Sequence, residues 1–367
     1  GNTVLHAAQL FHGLLLSFFE PLARSLRRIE SCGSFSGRLN LPRLARSTTA
    51  DALAAFDPKH LQPLIQDLRS RCPGLDHADA DLAGITRRII AADGTYLNTL
   101  ADVAWALHHT KSNGRKQGQV RANVQMDVAH WTPQVVTVSG NDGESEPAAF
   151  AKDLLSGVLY VVDRNFLDFA FLNRLLEQDN DFVLRLRANA PATRVIAELP
   201  LTAADAEAGV AADERVELTG RGAPAGTFRR VTVVTTDRNG ETQTIRLLTN
   251  LSDAAAVAAR VIAAAYRLRW QIELFFKWFK CFARMNHLLS TSRQGITTQL
   301  YVTVIAVLMM YAQTGRRISI YALTVFSLLA RGQITMQQAM EFLARRERER
   351  ELDRARQARR RARKKLV

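Results

Sequence analysis

Four polar side chains recur along a short run near residue 270 and have the chemistry to bind a metal ion beside phosphate groups. Tyr266, Arg269, Glu273 and Lys280 follow the spacing Y-x2-R-x3-E-x6-K. On one α-helix, at about 100° per residue, these side chains would share an arc of roughly 60°. A carboxylate flanked by cations predicts a metal ligand next to phosphate-binding groups. The alternative is the solvated face of an amphipathic helix, although tyrosine is a poor residue for a fully solvated stripe.

Apolar residues on the other side of this run predict that the helix has a buried face. Ile272, Phe275, Phe279 and Phe282 fall broadly opposite the polar side chains. The pattern has the period of an α-helix. We therefore predict one helix over residues 254–283.

The spacing resembles the Y-R-E-K signature of bacterial insertion-sequence transposases of the "IS four" group, which are cut-and-paste DDE recombinases. The resemblance implies that Glu273 is the third acidic metal ligand of a ribonuclease-H-like core. It also implies that Tyr266, Arg269 and Lys280 contact the DNA backbone near the cleaved end.

Two further basic residues extend the same face of the predicted helix. They are Lys277 and Arg284. We expect both to join the DNA contacts, because lysine and arginine are the usual partners of phosphate oxygens.

The resemblance implies two upstream aspartates, each at the end of an apolar strand, and the sequence contains both. Asp93 ends a short apolar run and begins the letters D-G-T, which the family carries at its first catalytic aspartate. A glycine after the acid predicts that the strand stops at a turn. Asp163 ends a second apolar run, and a basic and then an aromatic residue follow it, although the family's usual glycine is absent. The resemblance thus implies Asp93, Asp163 and Glu273 as catalytic metal ligands.

Each aspartate also has an ordinary structural interpretation. An aspartate after a strand is often a turn former or a helix N-cap, and Asp163 could cap a helix over residues 166–176. Three acids in the expected order, with the signature around the third, favour the catalytic interpretation.

The charge of the chain predicts a polyanionic partner. The 367 residues carry 49 Lys and Arg against 35 Asp and Glu, a net charge of +14. Residues 345–365 contribute 12 basic and 4 acidic residues, or +8 of this total. This segment is predicted to be either a DNA clamp or a solvated helix or tail.

Cysteine and hydropathy patterns argue against a zinc site and a membrane protein. The three cysteines, Cys32, Cys72 and Cys281, are far apart and fit free thiols in a reducing compartment. The apolar run 300–312 is shorter than the ~20 residues that span a bilayer. We expect a bacterial cytoplasmic, nucleoid-associated protein.

The order of predicted elements indicates an α/β fold, a pattern that many α/β domains share. The resemblance implies a ribonuclease-H-like catalytic core interrupted by a β-rich insertion, with helical N-terminal and C-terminal regions. Strands are predicted over 85–92, 120–128, 134–139, 157–162, 182–186, 228–235 and 242–249. The predicted segments are a helical N-terminal region that could bind the DNA end (1–80), the first part of the core (81–187), the insertion (188–251), the rest of the core with the signature helix (252–315) and a C-terminal helical region with a basic tail (316–367).

The resemblance implies DNA transposition by phosphoryl transfer with two Mg²⁺ or Mn²⁺ ions. The implied partners are double-stranded DNA, as the terminal inverted repeats of the element and as target, and a second copy of the chain in a homodimer on DNA. Three alternatives stay open: a metal-dependent nuclease without strand transfer, an inactive transposase-derived DNA-binding protein, and a basic helical binding protein whose acids are structural.

Overall fold

A computed structural model describes most of the chain. The described residues are 5–20, 25–31, 44–73, 82–99, 103–110, 114, 116–187, 193–236, 240–281, 287–315 and 318–365. They form two compact units: Gly74–Trp278, and the segments Gly1–Pro73 and Phe279–Val367 together. The finer five-part division of the chain stays a prediction.

Helices and strands follow one another in a mixed order. The helices are α1 Ala7–Phe19, α2 Leu26–Ser31, α3 Arg46–Ala55, α4 Gln62–Ser70, α5 Glu146–Ala151, α6 Phe169–Glu177, α7 Ala203–Glu207, α8 Ala259–Arg267, α9 Trp270–Cys281, α10 Arg293–Thr314, α11 Ile320–Ala330 and α12 Met336–Lys365. The strands are β1 Ile89–Thr99, β2 Leu107–Thr110, β3 Lys116–Asp127, β4 Thr132–Ser139, β5 Leu159–Val162, β6 Asp181–Arg185, β7 Thr193–Glu198, β8 Val210–Leu218, β9 Phe228–Thr236 and β10 Thr242–Thr249.

The unit Gly74–Trp278 is built on one ten-stranded sheet. Its strand order is β2-β3-β1-β5-β6-β10-β9-β8-β7, and β4 also pairs with β3. Strand β3 is antiparallel to both of its neighbours β4 and β1, whereas β1, β5 and β6 run parallel. The mixed α/β class predicted from the sequence is confirmed.

Strand β3 shows why the sheet forms here. Val120, Ala122, Val124 and Met126 alternate along it and are almost fully buried, as the period of two in the sequence predicts. The residues between them are polar yet also buried, among them Arg121. Both faces of this strand are therefore covered, and the polar face must be satisfied within the protein.

Strand β1 differs from the prediction at Asp93. The strand does not stop there: it continues to Thr99, and Gly94 pairs with Asn123 of β3. Gly94 acted as a strand-ending signal in the sequence, but its backbone is outside the left-handed region here. An extended glycine leaves the ladder intact, so Asp93 lies within a strand.

Helices cover both faces of the sheet. On one face α5 and α6 bury a cluster that includes Ile90, Ala92, Tyr160 and Val162. Helix α8 contacts β5, β6, β8 and β9. Because side chains alternate between faces along a strand, Asp93 and Asp163 point to the face opposite this cluster.

The segment predicted as a β-rich insertion continues the same sheet. Strand β10 pairs with β6 through three residue pairs, and β9, β8 and β7 follow outward. Strands β9 and β10 were predicted from alternation, and both lie where expected. The sequence Asn239-Gly240 between these strands is a typical hairpin turn; Asn239 lies outside the described residues, and Gly240 has φ 85°. At this position glycine meets a real conformational need.

The other unit is helical in its described part. Helix α10 is contacted by α1, α3 and α4. By length and composition α10 could cross a membrane, but 72% of its apolar stretch is buried inside the protein. This is typical of the core helix of a globular unit, as predicted. Cys72 is a buried free thiol, whereas Cys32 lies outside the described residues.

The C-terminal basic segment is a helix. Helix α12 runs for 30 residues from Met336 to Lys365. Its acids pair with arginines three to seven positions away, as in Arg346–Glu349 at 2.9 Å and Arg354–Glu347 at 3.9 Å. The helical form predicted from the sequence is correct, and its role stays a prediction.

Candidate active site

Two neighbouring parallel strands set the positions of Asp93 and Asp163. Ala92 of β1 is in register with Val162 of β5, and each aspartate directly follows one of these residues. Side chains at the same register of adjacent parallel strands lie side by side on one face. The fold therefore brings together two acids that are 70 positions apart in the sequence.

The Asp163 carboxylate also caps a turn. Its Oδ1 accepts a hydrogen bond from the Asn165 backbone N–H at 2.7 Å, at the start of a 3-10 turn over Arg164–Phe166. The following helix α6 is capped by Asp168 instead. The capping interpretation is thus correct for the turn, and a second carboxylate oxygen stays available for other contacts.

Glu273 is linked to Asp93 through Arg269. The Arg269 guanidinium donates to the Glu273 carboxylate, and its Nη1 lies 3.7 Å from Asp93 Oδ2. The Arg269 side chain is only 14% exposed, so this cation is screened little by water. It is the counter-charge that allows two carboxylates to approach each other.

The signature run forms two helices instead of the single one predicted. Helix α8 ends at Arg267, and α9 begins at Trp270. Between them, Arg269 N–H donates to Tyr266 O in an i to i−3 bond, which tightens the chain. The arc calculated for a single helix therefore does not apply across Tyr266 and Glu273.

The apolar side of the signature run is buried as predicted. Ile272, Phe275 and Phe279 are at most 1% exposed, and Phe275 packs edge-on against Trp131 with ring centroids 5.5 Å apart. Trp131 lies in the turn between β3 and β4. This contact fixes the first turns of α9, and hence Glu273, to the sheet.

Tyr266 is a buried residue and does not belong to a solvated stripe. Its hydroxyl makes no hydrogen bond within the described part of the chain, and the Arg269 guanidinium carbon lies 5.8 Å from its ring centroid. Burial raises the pKa of the Tyr266 phenol. Arg269 Nε is likewise buried and unbonded among the described residues. Buried polar atoms usually have a hydrogen-bond partner, so the Tyr266 hydroxyl and Arg269 Nε are candidates for contact with a bound group.

The acids of the site repel one another. Burial, together with the negative charges of Glu146 and Asp163, raises the pKa of Asp93 to about 7, against the opposing effects of Arg269 and the Gly94 N–H. Burial also raises the pKa of Glu146, with Asp163 adding to the shift. The four acids Asp93, Glu146, Asp163 and Glu273 thus outnumber the two arginines, Arg269 and Arg121, that act on them.

This donor set fits a hard divalent cation in chemistry. Carboxylate oxygens are the ligands that Mg²⁺ and Mn²⁺ prefer, and a cation would relieve the excess negative charge around Asp93. As the side chains stand, no three His, Cys, Asp or Glu residues in the described ranges are spaced to hold a metal ion. Arg269 occupies the role of counter-ion between two of the acids.

The other predicted DNA contacts follow Glu273 in the sequence. Lys277 is exposed on α9, one turn after Glu273. Lys280 lies in the last turn of that helix and is half-buried. Arg284 lies outside the described residues.

Sequence analysis missed Glu146. This residue begins α5, and its charge acts on both Asp93 and Asp163. Acids are enriched in the first turn of helices, so the sequence contains no signal that separates Glu146 from an ordinary helix start.

Comparison with known proteins supports one family. The family model described as "Transposase DDE domain" matches residues 84–309. The chain is 28% identical over 199 residues to a protein of Sinorhizobium fredii named as the transposase y4zB, covering 53% of each chain. It is also 28% identical over 228 residues to a protein of Geobacillus stearothermophilus named as a transposase for insertion sequence element IS5377, covering 59% of this chain and 54% of that one.

The chain spans about half the length of these two relatives. Among solved structures, it is similar to a piggyBac transposase synaptic complex with hairpin DNA, with 11% identity, a TM-score of 0.35 and coverage of 70% of this chain and 57% of that one. This structural likeness is too weak to carry an argument. The family match covers more than half of the chain and confirms the resemblance seen in the sequence. The chain belongs to the DDE transposase family.

Proposed function

We propose that this chain is the catalytic part of a bacterial transposase that cuts the ends of an insertion sequence and joins them to target DNA. The observation that carries the proposal is the meeting of Asp93, Asp163 and the Arg269–Glu273 pair in one partly buried, acid-rich site. Family membership supplies the reaction class. The order of strands β4-β3-β1-β5-β6, three antiparallel and then two parallel, supports a ribonuclease-H-like core.

In this proposal Asp93, Asp163 and Glu273 hold two Mg²⁺ or Mn²⁺ ions. When bound, such ions activate an attacking oxygen and stabilise the leaving oxygen of an in-line displacement at phosphorus. The chain's own part is to fix the carboxylates: Asp93 by the β1–β3 ladder, Asp163 by its turn, and Glu273 by the Phe275–Trp131 contact.

Arg269 and Tyr266 would act on the DNA end in this scheme. A guanidinium suits bidentate binding of phosphate, and the buried Arg269 Nε and Tyr266 hydroxyl make no hydrogen bond within the described part of the chain. Lys277, Lys280 and Arg284 would add charge along the backbone. The partners are the terminal inverted repeats, target DNA and a second copy of the chain, and the compartment is the bacterial cytoplasm at the nucleoid.

The test uses labelled DNA that carries the inverted repeats flanking the coding sequence, with Mg²⁺ or Mn²⁺ and a target plasmid. We expect the protein to cleave at the repeat ends and to join the labelled ends to the plasmid. Glu273→Gln should lower cleavage by at least about 100-fold while binding the repeats as before. Glu177→Gln is the matched control, because Glu177 is exposed and pairs only with Arg174 on α6 among the described residues.

Each other outcome selects an alternative. Cleavage without joining would identify a nuclease, and binding without cleavage would identify an inactive DNA-binding protein. Cleavage by Glu273→Gln at the normal rate would remove Glu273 from the metal site.

A further inference from the structure

Glu146 reaches the site from the face of the sheet that α5 and α6 cover. It is the first residue of α5, directly after Ser145, whose side chain caps the helix by accepting from the Ala148 N–H at 3.3 Å. The following Pro147 is buried in the sheet-facing side of the helix. The Ser145 cap and Pro147 hold the first turn of α5 and so set the backbone position of Glu146.

The Glu146 carboxylate occupies the space of a missing side chain at Gly94. A Cβ atom added at Gly94 would overlap Glu146 Oε1 and come within 2.9 Å of Arg121 Cδ. The backbone of Gly94 is extended and would accept any residue. A side chain at this position would therefore displace the Glu146 carboxylate, which is the far end of a flexible side chain.

The same place is an opening in the sheet beside Asp93. Strand β5 ends at Val162, whereas β1 continues for seven residues beyond its partner Ala92. The Gly94 N–H lies in this opening and donates to Asp93 Oδ1 at 2.8 Å. It also stabilises the charged form of Glu146. One backbone amide thus serves two carboxylates that come from opposite faces of the sheet.

We propose that Glu146 is a fourth carboxylate of the divalent-metal site and binds the same cations as Asp93 and Asp163. This inference rests on the proposed function and adds a ligand from α5. Two divalent ions bring four positive charges, and four carboxylates balance them before the phosphate of the DNA arrives.

The competing interpretation makes Glu146 a structural partner of Arg121. The Arg121 guanidinium does act on Glu146 electrostatically. However, its Nε donates to Asn123 Oδ1 at 2.9 Å, within a buried polar group that also includes Ser139. A structural ion pair would stabilise the metal-free protein, whereas a metal ligand crowded by other carboxylates destabilises it until a cation binds.

The experiment measures Mn²⁺ binding to the whole chain by calorimetry, together with the melting temperature in the chelator EDTA. We expect Glu146→Gln to weaken Mn²⁺ binding about 10- to 100-fold and to leave the metal-free melting temperature equal or higher. Glu144→Gln is the matched control two residues away, because Glu144 pairs with exposed Lys152. Its Mn²⁺ binding should equal that of the unchanged protein.

Two further variants keep the test decisive. Glu146→Asp retains the charge and should recover part of the Mn²⁺ affinity. Gly94→Ala should displace the carboxylate and lower Mn²⁺ affinity, and adding Glu146→Ala should relieve part of its loss of stability. If Glu146→Gln fails to fold, Glu146→Asp and Gly94→Ala report on the same contact.

The outcomes separate the inference from the proposed function. Normal Mn²⁺ binding by Glu146→Gln, with binding lost in Asp93→Asn, would overturn the inference and leave the transposase proposal standing. Normal binding in both Glu146→Gln and Asp93→Asn would overturn the metal site itself. A lower metal-free melting temperature with unchanged Mn²⁺ affinity would assign Glu146 to the Arg121 ion pair.

Discussion

The acid-rich site and the basic helix α12 use charge in opposite ways. Around Asp93 several carboxylates lie close to Arg269 in a partly buried pocket. Along α12, residues 345–365 carry 12 basic and 4 acidic residues, and the side chains described there are mostly exposed. Charges in the buried pocket interact strongly because the effective dielectric constant is low, whereas water and salt screen the charges on the helix. A few buried carboxylates are therefore enough to bind a cation, whereas attraction of DNA by solvent-exposed residues needs many positive charges.

The largest expected effect on stability, and the strongest test of this contrast, concerns Asp93. Its pKa is about 7 in the folded protein, against about 3.9 in an unfolded chain. Between these values the folded state binds more protons, so stability falls as the pH rises from about 4 to 7 and is flat above. Asp93→Asn removes this loss, and in EDTA it should be more stable than the unchanged protein at pH 8 by up to about 4 kcal/mol.

Urea unfolding in EDTA at several pH values measures this difference. Asp153→Asn is the control, because Asp153 is exposed. A stability difference that does not change between pH 4 and pH 8 would mean that the pocket is no more charge-sensitive than the surface.

A smaller effect is expected from Arg269, which lies between Asp93 and Glu273. Arg269→Ala leaves Asp93 and Glu273 without their shared partner, so in EDTA it should cost roughly 2 kcal/mol of stability. A divalent cation can replace the lost charge, and Mn²⁺ should therefore raise the melting temperature more in Arg269→Ala than in the unchanged protein. Arg267→Ala, on the exposed side of α8, should show neither change. An equal Mn²⁺ response in all three proteins would contradict the counter-ion role.

The smallest effect on folding is expected from the basic helix. Deleting residues 345–367 should leave the melting of the sheet unit unchanged and weaken DNA binding. For every DNA phosphate that the shortened chain no longer neutralises, the slope of log affinity against log salt should flatten by about 0.9. A variant with the twelve basic residues changed to glutamine keeps the helix at full length, so it distinguishes the effect of lost charge on DNA binding from the effect of lost residues. An unchanged slope in both would favour a solvated helix.

Periodic features of the sequence predicted much of the sheet. Val120 to Val128 alternates because one face of β3 is apolar, and Thr242–Thr249 was predicted with the bounds that β10 has. The class, the helices flanking the sheet and the positions after Ala92 and Val162 followed from such patterns. Such periodic patterns involve only neighbouring residues, so they can be recognised in the sequence.

Features that depend on contacts between distant residues were not predictable. Gly94 follows the acid as a turn residue would, but its backbone pairs with Asn123 of β3, a contact between distant parts of the sequence. The break between α8 and α9 contains no glycine or proline, the usual signals of a helix end. Glu146 itself has the sequence pattern of an ordinary helix start, and only the fold places it beside Asp93.

The uninterrupted course of β1 through Asp93 means that the acids of the site are anchored in different ways. Residues 90–99 are paired with β3 along their whole length, and such central ladder bonds open only with large-scale unfolding. Glu273 instead lies on α9, which is held to the sheet by side-chain packing such as the Phe275–Trp131 contact. A substitution that alters this packing would therefore move Glu273 and leave Asp93 in place.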